Sequence, residues 1–161
     1  MTRPAAERLE ISVWVRLMKT HGLILRAARA RIGPDLTLPQ FDVMTQLARA
    51  PRGVTATVLS RHLLVTAGNL TGIVDRLERD GLVKRAAHES DRRSVRIRLS
   101  PAGRRLMGRV LPRHRRDIAA LLSGVPKADL EKLRALLGRL AGALDASGEL
   151  GEFDDFDEER R

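Results

Sequence analysis

The chain has 161 residues, of which 43% are hydrophobic and 31% are charged, and it contains no cysteine. This composition is typical of a folded domain with its own core, and the lack of thiols excludes disulfides, thiolate-bound metals and thiol redox sensing. No apolar run approaches the roughly 18 residues that span a bilayer, and the N-terminus leads into charged residues instead of a signal-peptide core. We therefore expect a cytoplasmic protein without a membrane partner.

The charge is distributed unevenly along the chain. Thirty Lys and Arg residues oppose twenty Asp and Glu residues, which gives a net charge of +10. Residues 148–161 hold seven acids and two bases, a net charge of −5, so the first 147 residues carry +15. A body this basic favours a polyanionic partner, most often nucleic acid, although an arginine-rich surface without such a partner has the same charge.

Residues 6–32 are predicted to form one long helix. Their apolar residues recur at helical spacing, but they cover more of the circumference than one buried face requires. A helix of this kind favours burial on several sides, which predicts that residues 1–33 form an N-terminal dimerisation helix. Gly33-Pro34 is expected to end it.

A helix-turn-helix is predicted in the centre of the chain. Thr37 and Gln40 form a capping box at the start of the helix that precedes it. Thr55 and Thr66 then supply N-caps for two short helices joined by a tight turn. In the first of these short helices, Val58 is expected to face the core.

A β-hairpin is predicted directly after the helix-turn-helix, with strands at 82–88 and 95–99 joined by a polar loop. The second strand alternates between apolar and basic residues, which predicts that Val95 faces the core and that Arg96 and Arg98 face outward. A hairpin in this position forms the wing of a winged helix.

The C-terminal part is predicted to contain two helices over 101–147 and an acidic flexible tail over 148–161. Ser100 and Pro101 supply the N-cap and the first residue of the first helix. The last helix carries a narrow leucine seam of the kind that packs against another helix. Its leucines lie at spacings of 3, 4, 3 and 4: Leu130, Leu133, Leu137, Leu140 and Leu144. We expect residues 101–147 to contribute to dimerisation.

Several motifs follow one another in a fixed order between residues 36 and 106. They are LPQFDVM at 38–44, NLTGIVDRLE at 69–78, DGLVKR at 80–85, DRRS at 91–94 and VRIRLSPAG at 95–103. This series resembles the MarR family of winged-helix transcriptional regulators. The resemblance implies a mainly α fold with a small β-wing (α+β), with the winged helix-turn-helix over 36–100. It also implies a triangular homodimer whose dimerisation region is formed by helices from both chain ends.

The helix that follows Thr66 is expected to be the recognition helix. Small and amide side chains at its start suit close approach to a major groove, where Asn69 can pair with adenine and Thr71 can contact a thymine methyl group or a phosphate. The helix also contains Gly68 and Gly72. Close approach of the backbone to DNA would explain these glycines, and neutral sequence drift explains them equally well. The candidate DNA-binding residues are Thr55, Thr66, Gly68, Asn69, Thr71, Arg76, Lys84, Arg85, Asp91, Arg92 and Arg93.

The tip of the predicted wing carries Arg92 and Arg93, which are placed to approach a narrow minor groove. The resemblance implies that Asp91 holds Arg93 in position through a charge-assisted hydrogen bond. Arg92 is more simply explained as a phosphate contact. Lys84, Arg85, Arg96 and Arg98 are expected to add a basic stripe, either in contact with phosphates or as plain surface.

The resemblance also implies an effector, because relatives often lose DNA affinity when a small aromatic acid or phenol binds. Trp14, Met18 and His21 share one face of the first helix, and together with Arg16 they could bind such an anion. Ordinary packing of Trp14 and Met18 is the alternative. A membrane-surface helix built on Trp14, Arg16 and Lys19 is not expected.

No pattern predicts catalysis, a metal or a cofactor. The four histidines lack metal-ligand spacing, and the sequence has neither a Gly-rich phosphate loop nor a nucleophile elbow. The sequence therefore predicts a dimeric, sequence-specific DNA-binding regulator, a repressor released from a pseudo-palindromic operator by an aromatic acid or phenolic ligand. A sequence-independent architectural DNA-binding protein is the alternative.

Overall fold

The computed structural model describes residues 5–63, 65–87 and 95–145. Within these ranges the chain is mainly helical with a small antiparallel sheet, which confirms the predicted α+β winged-helix class. The predicted tip of the wing and the acidic tail lie outside the described residues. The elements are α1 (Ala5–Ile32), α2 (Leu38–Arg49), β1 (Val54–Thr55), α3 (Ala56–Leu63), α4 (Ala67–Arg79), β2 (Val83–Ala87), β3 (Val95–Leu99), α5 (Pro101–Leu122) and α6 (Lys127–Asp145).

Polar caps determine where the helices of the lobe begin. The Thr37 hydroxyl accepts the backbone N–H of Gln40 at 3.4 Å, and the Gln40 side chain accepts the backbone N–H of Thr37 at 2.9 Å. At the start of α4, the Thr66 hydroxyl accepts the N–H of Asn69 at 3.3 Å. These bonds satisfy N–H groups that have no partner inside the helix, and they confirm the predicted capping box and the predicted start of α4.

The core lies where α2, α3, α4 and α5 meet the sheet. Met44, Leu59 and Leu77 have no exposed surface, and burying a side chain of this size stabilises the fold by roughly 1.5–3 kcal/mol. Val58 was expected in this core but is 36% exposed. The eight-residue α3 has room to bury little more than Leu59 along one face, and Val58 lies about 100° away from it.

The sheet has the order β1-β3-β2, and β1 is a two-residue strand that is too short for sequence periodicity to predict. Val83 lies opposite Leu99, and Arg85 lies opposite Ile97. Opposed residues of antiparallel strands share one face of the sheet. Arg85 therefore belongs to the same face as the buried Val83, whereas Lys84 and Arg98 belong to the other face.

Val95 is half exposed and is not buried in the core as predicted. It pairs with Ala87 at the far end of the hairpin from Val83 and Leu99. Strand alternation puts it on the same face as Ile97, but there it lines an open cavity and is not closely packed.

The start of α5 is attached closely to the turn between α4 and β2. The Ser100 hydroxyl donates to the carbonyl of Gly81 at 2.6 Å and accepts the N–H of Gly103 at 3.0 Å. A Cβ added at Gly103 would lie only 2.1 Å from the carbonyl oxygen of Leu82. Only glycine permits this approach of two backbones.

The terminal helices differ from the lobe in their exposure. Near its C-terminus, α1 buries Ala28 and Ile32, but most of its large apolar residues are exposed. In α6, residues 131–144 are all exposed. The exposed large apolar residues of the two helices are Leu9, Ile11, Val13, Trp14, Met18, Leu23, Ile24, Leu133, Leu136, Leu137, Leu140 and Leu144. Among the described residues, no helix has the length and apolar character needed to cross a membrane.

Candidate nucleic-acid interface

Helix α4, the predicted recognition helix, has one buried face and one exposed face. Leu70, Ile73, Val74 and Leu77 point into the core. The predicted DNA-binding residues Thr66, Gly68, Asn69, Thr71 and Arg76 are all exposed, and the structure therefore brings these five together on the side of α4 that faces away from the core.

The polar groups of this face differ in what they already bind. The Thr66 hydroxyl serves as the N-cap of α4, and the Thr71 hydroxyl donates to the carbonyl of Ala67 at 2.9 Å. The side-chain amide of Asn69 makes no hydrogen bond to the residues that the structure describes, so its donor and acceptor are both available to a base edge.

The glycines of α4 are not required by the packing of the chain itself. A Cβ added at Gly68 or Gly72 would meet nothing within 4 Å. In a helix interior each glycine lowers stability by roughly 1 kcal/mol relative to alanine. Packing within the described chain therefore offers no reason for this cost, and the outer surface of α4 stays narrow at both positions.

Thr55 caps the start of α3. It is half-buried, and its hydroxyl accepts the N–H of Val58 at 3.4 Å, as expected of an N-cap. Of the remaining predicted contacts within the described chain, Arg76 and Lys84 are exposed and form no ion pair there.

Arg85 points toward α4, although it was expected in an outward basic stripe. Its guanidinium Nη2 lies 2.6 Å from Asp75 Oδ1, and its Nη1 donates to the carboxylate of Glu78. Its backbone N–H also donates to Glu78 Oε1 at 3.1 Å. The hydrogen bond that Arg85 donates to Asp75 is the main cause that raises the pKa of Arg85, against the opposing effect of partial burial.

Arg96 lies on the outer face of the sheet with Arg98, as predicted, but its guanidinium already has a partner within the chain. Its guanidinium Nη1 donates to the carbonyl of Gly53 at 2.8 Å in a partly buried position. Gly53 has φ of +79°, and a Cβ there would lie 2.8 Å from the carbonyl oxygen of Ile97, so glycine is required at this turn. Arg96 therefore ties the wing to the turn after α2, and the exposed basic residues of the described wing that form no ion pair there are Lys84 and Arg98.

The predicted wing-tip residues Asp91, Arg92 and Arg93 lie outside the described residues. Their contacts to DNA, and the pairing of Asp91 with Arg93, remain predictions.

The predicted effector residues lie on the exposed part of α1. Trp14, Met18 and His21 share one side of the helix and are all exposed. Arg16 does not join them, because at 100° per residue it lies about 200° around the helix from Trp14. Its guanidinium instead donates to the backbone carbonyl of Ser12 at 3.2 Å and to the Ser12 hydroxyl.

An apolar cavity of about 210 Å³ lies elsewhere, between α2, β3 and α5. Arg104 forms part of its wall and donates to the carbonyl of Leu99 at 2.9 Å. Sequence reasoning missed this cavity, since three elements distant in sequence form it. In the described part of the chain, no group of His, Asp or Glu side chains is arranged to hold a metal ion.

The MarR family model matches residues 35–94, which include α2, α3, α4 and β2. The repressor Mb2911 of Mycobacterium bovis is 31% identical over 121 residues, which cover 74% of this chain and 86% of the relative. The chain belongs to the MarR family. The regulator PecS of Dickeya dadantii is 36% identical over 107 residues, which cover 65% of this chain but only 64% of PecS. The family and these relatives are transcriptional regulators and not enzymes, which confirms the class predicted from the sequence.

Solved structures of MarR regulators share this fold over most of their length. A MarR-family regulator from Silicibacter pomeroyi is 30% identical, with a TM-score of 0.76 over 88% of this chain and 99% of that one. A MarR mutant from E. coli, solved with operator DNA, is 25% identical, with a TM-score of 0.73 over 81% and 95%. CouR from Rhodococcus jostii, solved with p-coumaroyl-CoA, is 25% identical, with a TM-score of 0.72 over 80% and 91%.

Proposed function

We propose that this protein is a homodimeric, sequence-specific DNA-binding regulator that acts as a repressor at a pseudo-palindromic operator. The observation that carries the proposal is the exposed face of α4, where an unbonded Asn69 amide lies between open glycine positions and is followed by the exposed Arg76. An amide on a narrow helix surface can reach base edges, and a cation nearby can bind phosphate. The similarity to a MarR protein solved with operator DNA supports DNA as the partner.

Dimerisation through the chain ends is supported by the exposed apolar residues of α1 and α6. Large apolar residues exposed in such numbers on two helices indicate an interaction site in a folded protein. We assign residues 1–33 and 101–147 to the dimer interface and residues 36–100 to the DNA-binding lobe. A two-fold interface would present two copies of α4, and this predicts half-sites about one helical turn apart.

The operator can be tested by selecting bound fragments from the source genome and mapping the protected region by footprinting at physiological salt. A bounded, symmetric footprint supports the regulator, whereas diffuse protection supports the architectural alternative. Changing Arg93 to alanine should weaken operator binding by roughly 1–3 kcal/mol without unfolding the protein. Unchanged affinity would remove the wing tip from the mechanism.

A small aromatic acid or phenol is the effector class that we propose. The exposed Trp14, Met18 and His21 provide an aromatic and polarizable surface with an imidazole ring beside it, and CouR is a relative solved with p-coumaroyl-CoA. Titration calorimetry of wild type and Trp14→Ala with a panel of aromatic acids tests this site. Loss of binding in the variant supports it, and retained binding favours another place such as the cavity beside Arg104.

A further inference from the structure

One guanidinium connects the recognition helix to the wing. Arg85 of β2 bonds Asp75 and Glu78, which lie three residues apart and therefore almost one turn apart on α4. Glu78 additionally accepts the backbone N–H of Arg85 at 3.1 Å. Three hydrogen bonds thus converge on two carboxylates from a single strand residue.

We propose that Arg85, Asp75 and Glu78 form a clamp that sets the orientation of α4 relative to the wing, and that Arg85 acts on DNA binding by positioning and not by touching phosphate. This inference rests on the proposed DNA-binding function. The name clamp refers to these three residues throughout.

Apolar packing between α4 and the sheet is incomplete on the side where Arg85 lies. A cavity of about 260 Å³ lies where α4 and α3 face the sheet, and atoms that line a void make no contact across it. Hydrophobic attraction is also non-directional, whereas charge-assisted hydrogen bonds constrain angle and distance. The cavity is lined by Ala56, Leu70, Thr71, Val74, Arg85, Val95 and Ile97.

The clamp has a second consequence for a helix that approaches DNA. Asp75 is half exposed and lies on the same helix as the exposed residues Asn69 and Arg76. A carboxylate near phosphates repels them, and the guanidinium of Arg85 offsets this charge. Because the guanidinium of Arg85 donates to the carboxylates of Asp75 and Glu78, these donors are not available to a phosphate.

The experiment measures affinity for the operator and for a scrambled duplex over a series of salt concentrations. Arg85→Ala is expected to weaken operator binding by about tenfold but scrambled binding by only about twofold to threefold, because the uncovered charge of Asp75 and Glu78 acts on any duplex whereas the orientation of α4 matters for the operator alone. Lys84→Ala is the matched control from the neighbouring, outward-facing position. If Lys84 contacts phosphate, Lys84→Ala should weaken binding to both duplexes equally and lower the salt slope by about 0.9.

The carboxylates give a test of opposite sign. Removing negative charge beside DNA ordinarily strengthens binding, so Asp75→Asn and Glu78→Gln should raise operator affinity if the clamp has no role. The clamp predicts weaker operator binding in both variants. It also predicts that the double variant Arg85→Ala with Glu78→Gln loses less operator binding free energy than the sum of the losses in the two single variants, because the two residues act as one unit.

Ion pairs at this degree of exposure contribute little to stability, so the melting temperature of each variant should stay close to that of wild type. If Arg85→Ala does not fold, Arg85→Lys replaces it. Its single ammonium keeps the charge but cannot bond both carboxylates through a planar fork, so operator affinity should fall while scrambled binding is kept. The clamp would be overturned if Arg85→Ala lost affinity equally for both duplexes with a lower salt slope. Tighter operator binding by Asp75→Asn and Glu78→Gln would overturn it as well. A wild-type protein without an operator preference would instead overturn the proposed function.

Discussion

The winged lobe and the terminal helices bury their apolar residues to different extents. In the lobe, Met44 and Leu77 have no exposed surface, whereas Trp14 of α1 is 60% exposed and Leu133 of α6 is 48% exposed. The lobe therefore completes its core within one chain. The terminal helices expose large apolar residues beside their charged ones, and these apolar residues contribute stability only when another surface covers them. The difference separates a region whose core is complete within one chain from a region that we propose a second copy completes.

The largest expected effect comes from removing a core side chain of the lobe. Leu59→Ala should lower the free energy of unfolding by about 2–5 kcal/mol, because it deletes a buried side chain and leaves a cavity. Urea unfolding at several protein concentrations measures this, and the loss should be the same at each concentration. As the control, Val58→Ala on the exposed side of α3 should have a much smaller effect.

A charge in the leucine seam of α6 should act on assembly and not on the lobe. Leu140→Asp would bury one carboxylate from each protomer in an apolar interface, which should weaken the dimer by roughly a hundredfold or more. Sedimentation velocity measures the association, and amide hydrogen exchange of α2 and α4 reports on the lobe. A variant that stays dimeric would contradict the assignment of α6 to the interface.

A change at the exposed amide of α4 should affect DNA binding alone. Asn69→Ala should weaken operator binding by about 1–3 kcal/mol through loss of a paired base contact. Fluorescence anisotropy with a labelled operator measures this affinity, and sedimentation should show an unchanged dimer. Equal losses on operator and scrambled duplex would assign Asn69 to non-specific contacts.

The smallest effect is expected at an open glycine of the same helix. Gly72→Ala should raise the free energy of unfolding by about 0.5–1 kcal/mol, since it adds helix propensity and its Cβ meets no neighbour within 4 Å. Thermal unfolding by circular dichroism measures the gain. If the narrow surface serves close approach to DNA, operator affinity should fall while stability rises. Unchanged affinity would mean that this glycine has no role at the interface.

Features that depend on a few adjacent residues were predictable from the sequence. The capping box of Thr37 and Gln40, the N-cap Thr66 and the start of α5 at Pro101 all appear as predicted, because each is decided by local hydrogen bonds and backbone geometry. The winged-helix class was predictable for the same reason, since its elements follow one another in a recognisable order.

The orientation of the arginines was harder to predict. Arg85 shares its strand parity with the buried Val83, so alternation along β2 contains a signal that was available in the sequence. Arg96 carries no such signal, because its acceptor at Gly53 lies 43 residues away. Arg16 was grouped with Trp14 by proximity in sequence, although helical geometry separates the two side chains. The DNA and effector contacts themselves depend on partners and remain predictions.

The chain contains one tryptophan and no tyrosine, and the tryptophan is the exposed Trp14. Ultraviolet emission from the whole protein therefore originates almost entirely from one point on α1. A blue shift on concentrating the protein would report subunit association there, and quenching by an added aromatic acid would report occupancy, both in unlabelled protein. The same residue that is proposed to meet the effector thus serves as a built-in optical probe of that event.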